Sequence, residues 1–115
     1  MAKATLVVLT NPLSPDVEDE YNDWYNNVHL HDIVAVDGMV SAQRFRVIDV
    51  AATAESPQPS HRYLALYEVE ADDLEAVAQE MGRRAGSGEM VISPALDAQG
   101  ARLFWVEPIG APVGG

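Results

Sequence analysis

Residues 21–32 read YNDWYNNVHLHD. This stretch follows a Ser14-Pro15 pair and a run of acidic residues. That pattern is typical of a helix start, because a hydroxyl can cap the first turn, proline fits there and acids complement the helix dipole. We predict a helix from Pro15 to about Leu30, with a turn or a short second helix before Gly38. One stripe of that helix, at regular α-helical spacing, contains Val17, Tyr21, Trp24, Val28 and Asp32, with Tyr25 on its shoulder.

The segments around this helix predict a small α+β domain. Apolar, β-branched or alternating residues predict strands at 3–10, 39–50, 61–70 and 101–107. A second amphipathic helix is predicted over 72–85, with Asp72 and Glu75 as a capping box. The order β-α-β-β-α-β is that of a ferredoxin-like fold, an antiparallel sheet with both helices on one face. The uncovered face predicts a homodimer, because a second copy of the sheet is its simplest cover.

Length and charge limit the possible functions. The 115 residues predict one domain over 1–110 and a flexible tail over 111–115. Eighteen acidic residues against seven basic ones give a net charge of −11, which argues against nucleic acid or an anionic membrane as a partner. The absence of cysteine excludes thiol catalysis. Because we find neither a secretion signal nor a membrane-length apolar stretch, we expect a cytoplasmic protein.

Two motifs of the chain resemble a known family. Residues 21–32, followed by residues 38–45, GMVSAQRF, are similar to the EthD-like group of the dimeric α+β barrel superfamily. That group has an acidic helix, a W-Y-x-x-V-H motif and a glycine that opens an S-A-x-R-(Y/F) strand. The chain departs from the pattern at His31, where proline is expected. The resemblance implies a small dimer with a cavity between the sheet and helices of each protomer, lined by the motif histidine, His29. Relatives include polyketide cyclases, muconolactone-type isomerases, cofactor-free monooxygenases and haem-binding enzymes.

His29 is the leading candidate for a catalytic residue, because an imidazole can exchange a proton near neutral pH. Asp32, three residues on, could orient the ring or act as a base, although it could equally cap the next turn. Tyr25, four residues before, could stack on it. Arg44 shares a face of the second strand with Arg46, and could stabilise an oxyanion or simply pair with acidic helices.

Aromatic residues are candidates for substrate binding, although such stripes are often plain core. Phe104 or Trp105 could complete a pocket wall, depending on strand register. The predicted substrate-binding residues are Tyr21, Trp24, Tyr63, Tyr67 and Phe104.

The histidines do not predict a metal site. His29 and His31 diverge on a regular helix, and His61 opens a strand where exposure is expected. We therefore expect no metal, no haem and no other cofactor. The chain also lacks a G-x-S-x-G, a P-loop and a G-x-G-x-x-G motif.

These observations lead to two functional hypotheses. The first is a small cofactor-independent enzyme that acts on a hydrophobic aromatic or polyketide-like carbonyl or phenol, with His29 as general acid/base. Cyclase, dehydratase, isomerase and monooxygenase reactions all fit, because each needs an enolate or a phenolate. The alternative is a dimer that binds a small molecule without catalysis, or an accessory subunit of a degradative or biosynthetic pathway. Convergence of His29 and a second polar group on one cavity favours the enzyme.

Overall fold

A computed structural model describes residues 1–50 and 53–114 of the chain. Its four strands form one antiparallel sheet in the order β2-β3-β1-β4, and the element order is β-α-β-β-α-β. The ferredoxin-like α+β fold predicted from the sequence is therefore confirmed. The bounds are Ala2–Thr10 for β1, Met39–Arg46 for β2, Tyr63–Ala71 for β3, Arg102–Val106 for β4 and Leu74–Ser87 for the last helix, α3.

The first helical region is not a regular α-helix. A 3-10 turn at Pro15–Val17 leads into α1, Glu18–Trp24. A π-helical turn at Tyr25–His29 follows, and α2, Leu30–Val34, completes the region. The π turn is closed by the Leu30 N–H, which donates to the Tyr25 carbonyl five residues back. The prediction of a regular helix to Leu30 is therefore wrong in its periodicity, although the region is helical throughout.

Strand alternation separates a buried face from an open face. Leu6 of β1 lies between Tyr67 of β3 and Trp105 of β4, and this face packs against the helices. The next residue, Val7, lies between Leu66 and Phe104 on the opposite face. The centre of that opposite face is apolar and partly exposed, with Phe104 at 46% exposure, whereas Thr5 and Glu68 make it polar toward one end. An exposed apolar surface is characteristic of an interaction site.

Two local predictions need correction. Strand β2 ends at Arg46 rather than at residue 50, and residues 51 and 52 lie outside the described part of the chain. The cap of α3 is Asp73 rather than Asp72, because the Asp73 carboxylate accepts the Ala76 N–H. Residues 111–114 are exposed, while the single domain over 1–110 and the flexibility of the tail stay predictions.

Gly38 connects the helical region to β2 in a conformation that side chains rarely adopt. Its φ is +100°, and a Cβ there would lie 2.9 Å from Cγ2 of Val77 on α3.

We predict that Gly38→Ala lowers the free energy of unfolding by about 2 kcal/mol, from backbone strain and overpacking together. Urea denaturation measures this change. Gly86→Ala is the matched control, because a Cβ at Gly86 meets nothing within 4 Å; its stability should stay level or rise by up to about 1 kcal/mol. Equal decreases in the free energy of unfolding of the two variants would contradict this explanation of Gly38.

Candidate active site

A cavity of about 340 Å³ lies between the helix-facing side of β1 and β4 and the helices. Its wall is apolar apart from Thr10, Tyr25 and His29. The apolar lining comes from the sheet, α2, α3 and the segment between α3 and β4, and consists of Leu6, Val8, Ile33, Ala78, Met81, Gly82, Ala85, Met90, Ile92, Leu96, Ala101, Leu103 and Trp105. A concave apolar site with few polar groups is the usual form of a small-molecule site.

Small residues on α3 leave room for this cavity. Ala78, Gly82 and Ala85 recur at helical spacing and line it, with Met81 among them. Three larger side chains on the same helix face would occupy the space between α3 and the sheet. The helix therefore covers the sheet without filling the volume beneath it.

The π turn aligns the functional side chains. Tyr25, His29 and Ile33 all line the cavity and are four residues apart. In a regular α-helix, residues four apart differ in direction around the helix axis by about 40°. The third residue of a series with this spacing would therefore point about 80° away from the first. The wider π turn removes much of that difference in direction. It also moves Val28 out of the predicted stripe, to 38% exposure, and leaves Asp32 half-buried.

Two aromatic rings hold the His29 imidazole. The ring stacks on Trp24 with centroids 4.5 Å apart, and Tyr25 meets it edge-on at 5.0 Å. Residues five apart, such as Trp24 and His29, share a side of a π turn, which allows this stacking. The indole N–H of Trp24 donates to the Val91 carbonyl at 2.9 Å. This hydrogen bond connects the ring that stacks on His29 to the segment after α3.

His29 is held as a neutral imidazole with an unused ring nitrogen. Among the described residues, its buried Nδ1 has no hydrogen-bond partner. Burial lowers the pKa of His29 from 6.5 to about 4, the Asp32 carboxylate opposes this decrease, and the Arg44 guanidinium adds to it. Within the described part of the chain, no hydrogen bond joins Asp32 to His29, so Asp32 acts on the ring through its charge.

The Tyr25 hydroxyl is a second polar group in the cavity wall, beside His29. The Tyr67 hydroxyl donates to the Tyr25 hydroxyl at 3.4 Å. Burial raises the pKa of both phenols, so both remain protonated at neutral pH. Because Tyr25 accepts from Tyr67, its own O–H is free to donate elsewhere.

The structure brings together only part of the predicted site. His29 and Tyr25 line the cavity, whereas Arg44 lies behind Tyr25 and does not line it. The guanidinium instead donates to Asn22 and Asn26, so neither a direct oxyanion contact from Arg44 nor its pairing with the acidic helix is observed.

The predicted substrate-binding residues mostly lie behind the wall. Tyr21 bonds to Thr10, Tyr67 bonds to Tyr25, and Trp24 supports His29. Tyr63 donates to Glu18. Each is buried, and none lines the cavity.

Phe104 is a correction to the predicted wall. The register between β1 and β4 places Phe104 beside Val7 on the open face, and Trp105 takes the position on the cavity side. The sequence alone allows either residue at this position, because the choice depends on the register. The lining residues Met90, Ile92 and Leu96 were missed, because they lie in an irregular segment without periodicity.

The remaining histidines do not join the site. His31 is exposed, and His61 is half-buried rather than exposed. His61 bonds through one ring nitrogen to the Ser60 hydroxyl and through the other to the Gly100 carbonyl.

Within residues 1–50 and 53–114, no group of three or more His, Asp or Glu side chains could hold a metal ion. The same ranges contain no helix with the length and apolarity needed to cross a membrane. A cytoplasmic location stays a prediction.

Solved structures share this fold over almost the whole chain. The haem degrader MhuD of Mycobacterium tuberculosis, solved with two haems in its active site, has a TM-score of 0.65 at 18% identity, covering 96% of this chain and 99% of its own. An EthD family protein of Bacillus halodurans C-125 has a TM-score of 0.60 at 15% identity, with coverage of 95% and 100%. A dimeric ferredoxin-like protein of Jannaschia sp. CCS1 has a TM-score of 0.58 at 14% identity, with coverage of 93% and 100%. No family model and no curated protein sequence matches the chain.

These likenesses define the class of fold. The chain has the ferredoxin-like α+β fold found in dimeric α+β barrel proteins, and its structural neighbours include an EthD family protein, the group that its sequence resembles. At these identities the likeness establishes the fold, so the chemistry has to be argued from the cavity.

The cavity does not fit a haem. A porphyrin of that kind carries two carboxylates, and the lining includes no Lys or Arg side chain to pair with them. His29 supplies an imidazole, but its ring is confined between Trp24 and Tyr25. We therefore assign no haem-dependent step to these residues.

The state of His29 gives a test of stability against pH. Its pKa is about 4 in the folded protein and about 6.5 when unfolded. The unfolded chain therefore binds the proton first as the pH falls, and folding stability decreases between about pH 6.5 and pH 4, by up to about 3 kcal/mol. Urea denaturation at pH 7 and pH 5 should show a larger decrease in the free energy of unfolding for the wild type than for His29→Gln. Carboxylates titrate in both proteins, so parallel curves would contradict the burial of a neutral His29.

Proposed function

We propose that the protein is a small enzyme whose cavity binds an uncharged apolar molecule and whose His29 removes a proton from it. The observation that carries this proposal is the convergence of a neutral imidazole and a phenol on one apolar cavity. The wall offers no charged side chain, so binding favours a substrate without a full charge.

Proton removal follows from the geometry of the two polar groups. A substrate O–H, or a C–H next to a carbonyl, transfers its proton to the His29 imidazole and becomes a phenolate or an enolate. The Tyr25 O–H donates to the substrate oxygen as negative charge develops there. The Asp32 carboxylate stabilises the imidazolium that forms, since it already favours the charged ring. The low-dielectric wall strengthens the resulting ion pair, which offsets the weak basicity of a buried imidazole.

Several reactions share this first step. Cyclisation, dehydration, isomerisation and oxidation of an activated phenol by O₂ all pass through an enolate or a phenolate. The proposed step itself uses only side chains of this chain and needs no cofactor.

A binding protein without catalysis is the second candidate. The almost entirely apolar wall favours it, because a carrier needs affinity and shape but no reactive group. In that case His29 and Tyr25 would orient a ligand through hydrogen bonds, with no net proton transfer.

We propose that the functional unit is a homodimer formed through the open sheet face. The protomer is flat, with extents of 43 × 40 × 22 Å, and its radius of gyration is 15.4 Å. A compact chain of this length would have a radius of gyration of about 13 Å. A second copy would cover the partly exposed Phe45, Phe104 and Val106 on the open face. The Jannaschia protein, which has the same fold, is dimeric.

The enzymatic proposal predicts exchange of an acidic C–H. We expect the wild type to accelerate exchange of the central C–H of benzoylacetone in D₂O, followed by proton NMR. His29→Gln should lower this acceleration by about 10²–10⁴-fold, the usual contribution of a positioned base. Ala78→Leu should also lower it, because the added methyl groups enter the cavity.

Matched controls separate the site from the surface. His31→Gln removes an exposed imidazole two residues from His29, and Ala76→Leu enlarges an exposed position on α3. Both should exchange the proton at the wild-type rate. Binding of benzoylacetone without exchange would favour the binding protein. A Soret band on addition of haemin that is lost in His29→Gln would contradict the cofactor-independent proposal.

The dimer is tested by sedimentation velocity. Leu66→Glu places a charge in the centre of the open face, opposite Gln43 and Val7. We expect a dimer for the wild type and a folded monomer for this variant, since an unpaired charge is costly in an apolar interface. Gln79→Glu, on the exposed surface of α3, should remain dimeric. A monomeric wild type at micromolar concentration would contradict the proposal.

A further inference from the structure

Arg44 holds a positive charge that no carboxylate of residues 1–50 or 53–114 neutralises. None of the ion pairs in those ranges involves Arg44; their cations are the N-terminal amine, Lys3, Arg62, Arg83 and Arg84. Its two terminal nitrogens donate to the Asn26 side-chain oxygen at 2.8 Å and to the Asn22 side-chain oxygen at 2.9 Å. Its Nε is buried and has no partner among the described residues. Amides satisfy hydrogen bonds without cancelling charge, and the Glu18 carboxylate joins this network only through Tyr63 and Asn22, so Arg44 has no direct counterion.

This cation lies directly behind a residue of the cavity wall. The guanidinium carbon is 4.3 Å from the centre of the Tyr25 ring, and the rings of Tyr63 and Tyr21 lie at 5.1 and 5.3 Å. Three aromatic faces hold the cation in place and exclude water from one side. Tyr25 also lines the cavity, so one ring separates the charge from the ligand space.

The residues that bind the Arg44 guanidinium are neutral asparagines, although the protein is strongly acidic. Helix α1 carries four acidic side chains, and the chain has eighteen acids in all. An aspartate at position 22 or 26 would have nearly the same shape and would neutralise the guanidinium. The structure therefore keeps an uncompensated cation next to the cavity, even though a counterion would need only one substitution.

We propose that Arg44 is a positioning residue whose charge, acting across the Tyr25 ring, stabilises the anion that forms when a neutral ligand in the cavity transfers its proton to His29. This inference rests on the proposed function and narrows its substrate class to weak oxygen acids, phenols or enols, held as conjugate bases. The phenol or enol O–H bond breaks, its proton goes to His29, and its electron pair stays on the ligand oxygen.

The two charged side chains that act on His29 have separate roles in this scheme. Asp32 favours the protonated imidazole, whereas Arg44 disfavours it. Arg44 also favours negative charge at Tyr25. When the proton moves, Asp32 faces the new cation and Arg44 faces the new anion through Tyr25. Each charge of the product ion pair therefore has a stabilising partner of opposite sign.

The test compares two ligands of nearly equal shape. 4-Nitrophenol ionises and its phenolate absorbs visible light, whereas 4-nitroanisole, its methyl ether, does not ionise. We expect bound nitrophenol to ionise at a lower pH than free nitrophenol in the wild type. Asn26→Asp should weaken phenolate binding by about tenfold, because it adds a counterion beside Arg44. Nitroanisole affinity should stay the same in both proteins.

Two further variants address structural effects. Asn27→Asp adds the same charge one residue along, at an exposed position, and should behave like the wild type within about twofold. Arg44→Lys should keep the phenolate preference and Arg44→Gln should lose it, with folding followed by circular dichroism.

The outcomes are distinguishable. Parallel loss of nitroanisole binding in Asn26→Asp, or equal effects of Asn26→Asp and Asn27→Asp, would overturn the role of Arg44. Binding of both ligands with no shift in nitrophenol ionisation would overturn this inference and leave the cavity's function intact. If neither ligand binds the wild type, the proposed function fails and this inference fails with it.

Discussion

The stacking of His29 on Trp24 is the interaction on which the site depends. It joins residues five apart, and a π turn allows such a pair to share one side of the helix. The same turn keeps Tyr25, His29 and Ile33 on the cavity side. The Trp24 indole then bonds to Val91, so the segment that closes the cavity after α3 is connected to the helix that carries the imidazole. One irregular turn thus determines the orientation of the ring, the line of the wall and the attachment of a neighbouring segment.

The electrostatics of the site follow from burial against an apolar wall. An apolar wall withholds water from His29, which lowers its pKa and leaves a neutral ring at neutral pH. The same wall raises the pKa of Tyr25, which stays a hydrogen-bond donor. A base and a donor are therefore available together without a charged group in the cavity. The charges that influence them, on Asp32 and Arg44, lie outside the lining, where their desolvation costs less.

Much of the architecture could be predicted from the sequence, and the errors have identifiable causes. Strand alternation in β1 and β3 and the amphipathic pattern of α3 predicted the sheet and its covering helix. The motif with Trp24, Tyr25 and His29 pointed to the cavity wall. The stripe through Val28 failed because it assumed an α-helical period, and nothing in residues 25–29 signals a π turn. The sequence could not decide between Phe104 and Trp105 for the wall, because the two aromatic residues are adjacent in β4 and only the pairing with β1 shows which one faces inward.

Taken alone, the sequence determined the order of elements, the face of each strand that is buried and the residue types available for chemistry. Those properties are local, because they depend on backbone propensity and on the spacing of apolar side chains. The tertiary structure decided which candidates meet. It placed His29 and Tyr25 on one wall, moved Arg44 behind that wall, and brought Met90 and Leu96 from an irregular segment to close it. Contacts between residues distant in the chain depend on strand register and on helix packing, which short-range patterns do not encode.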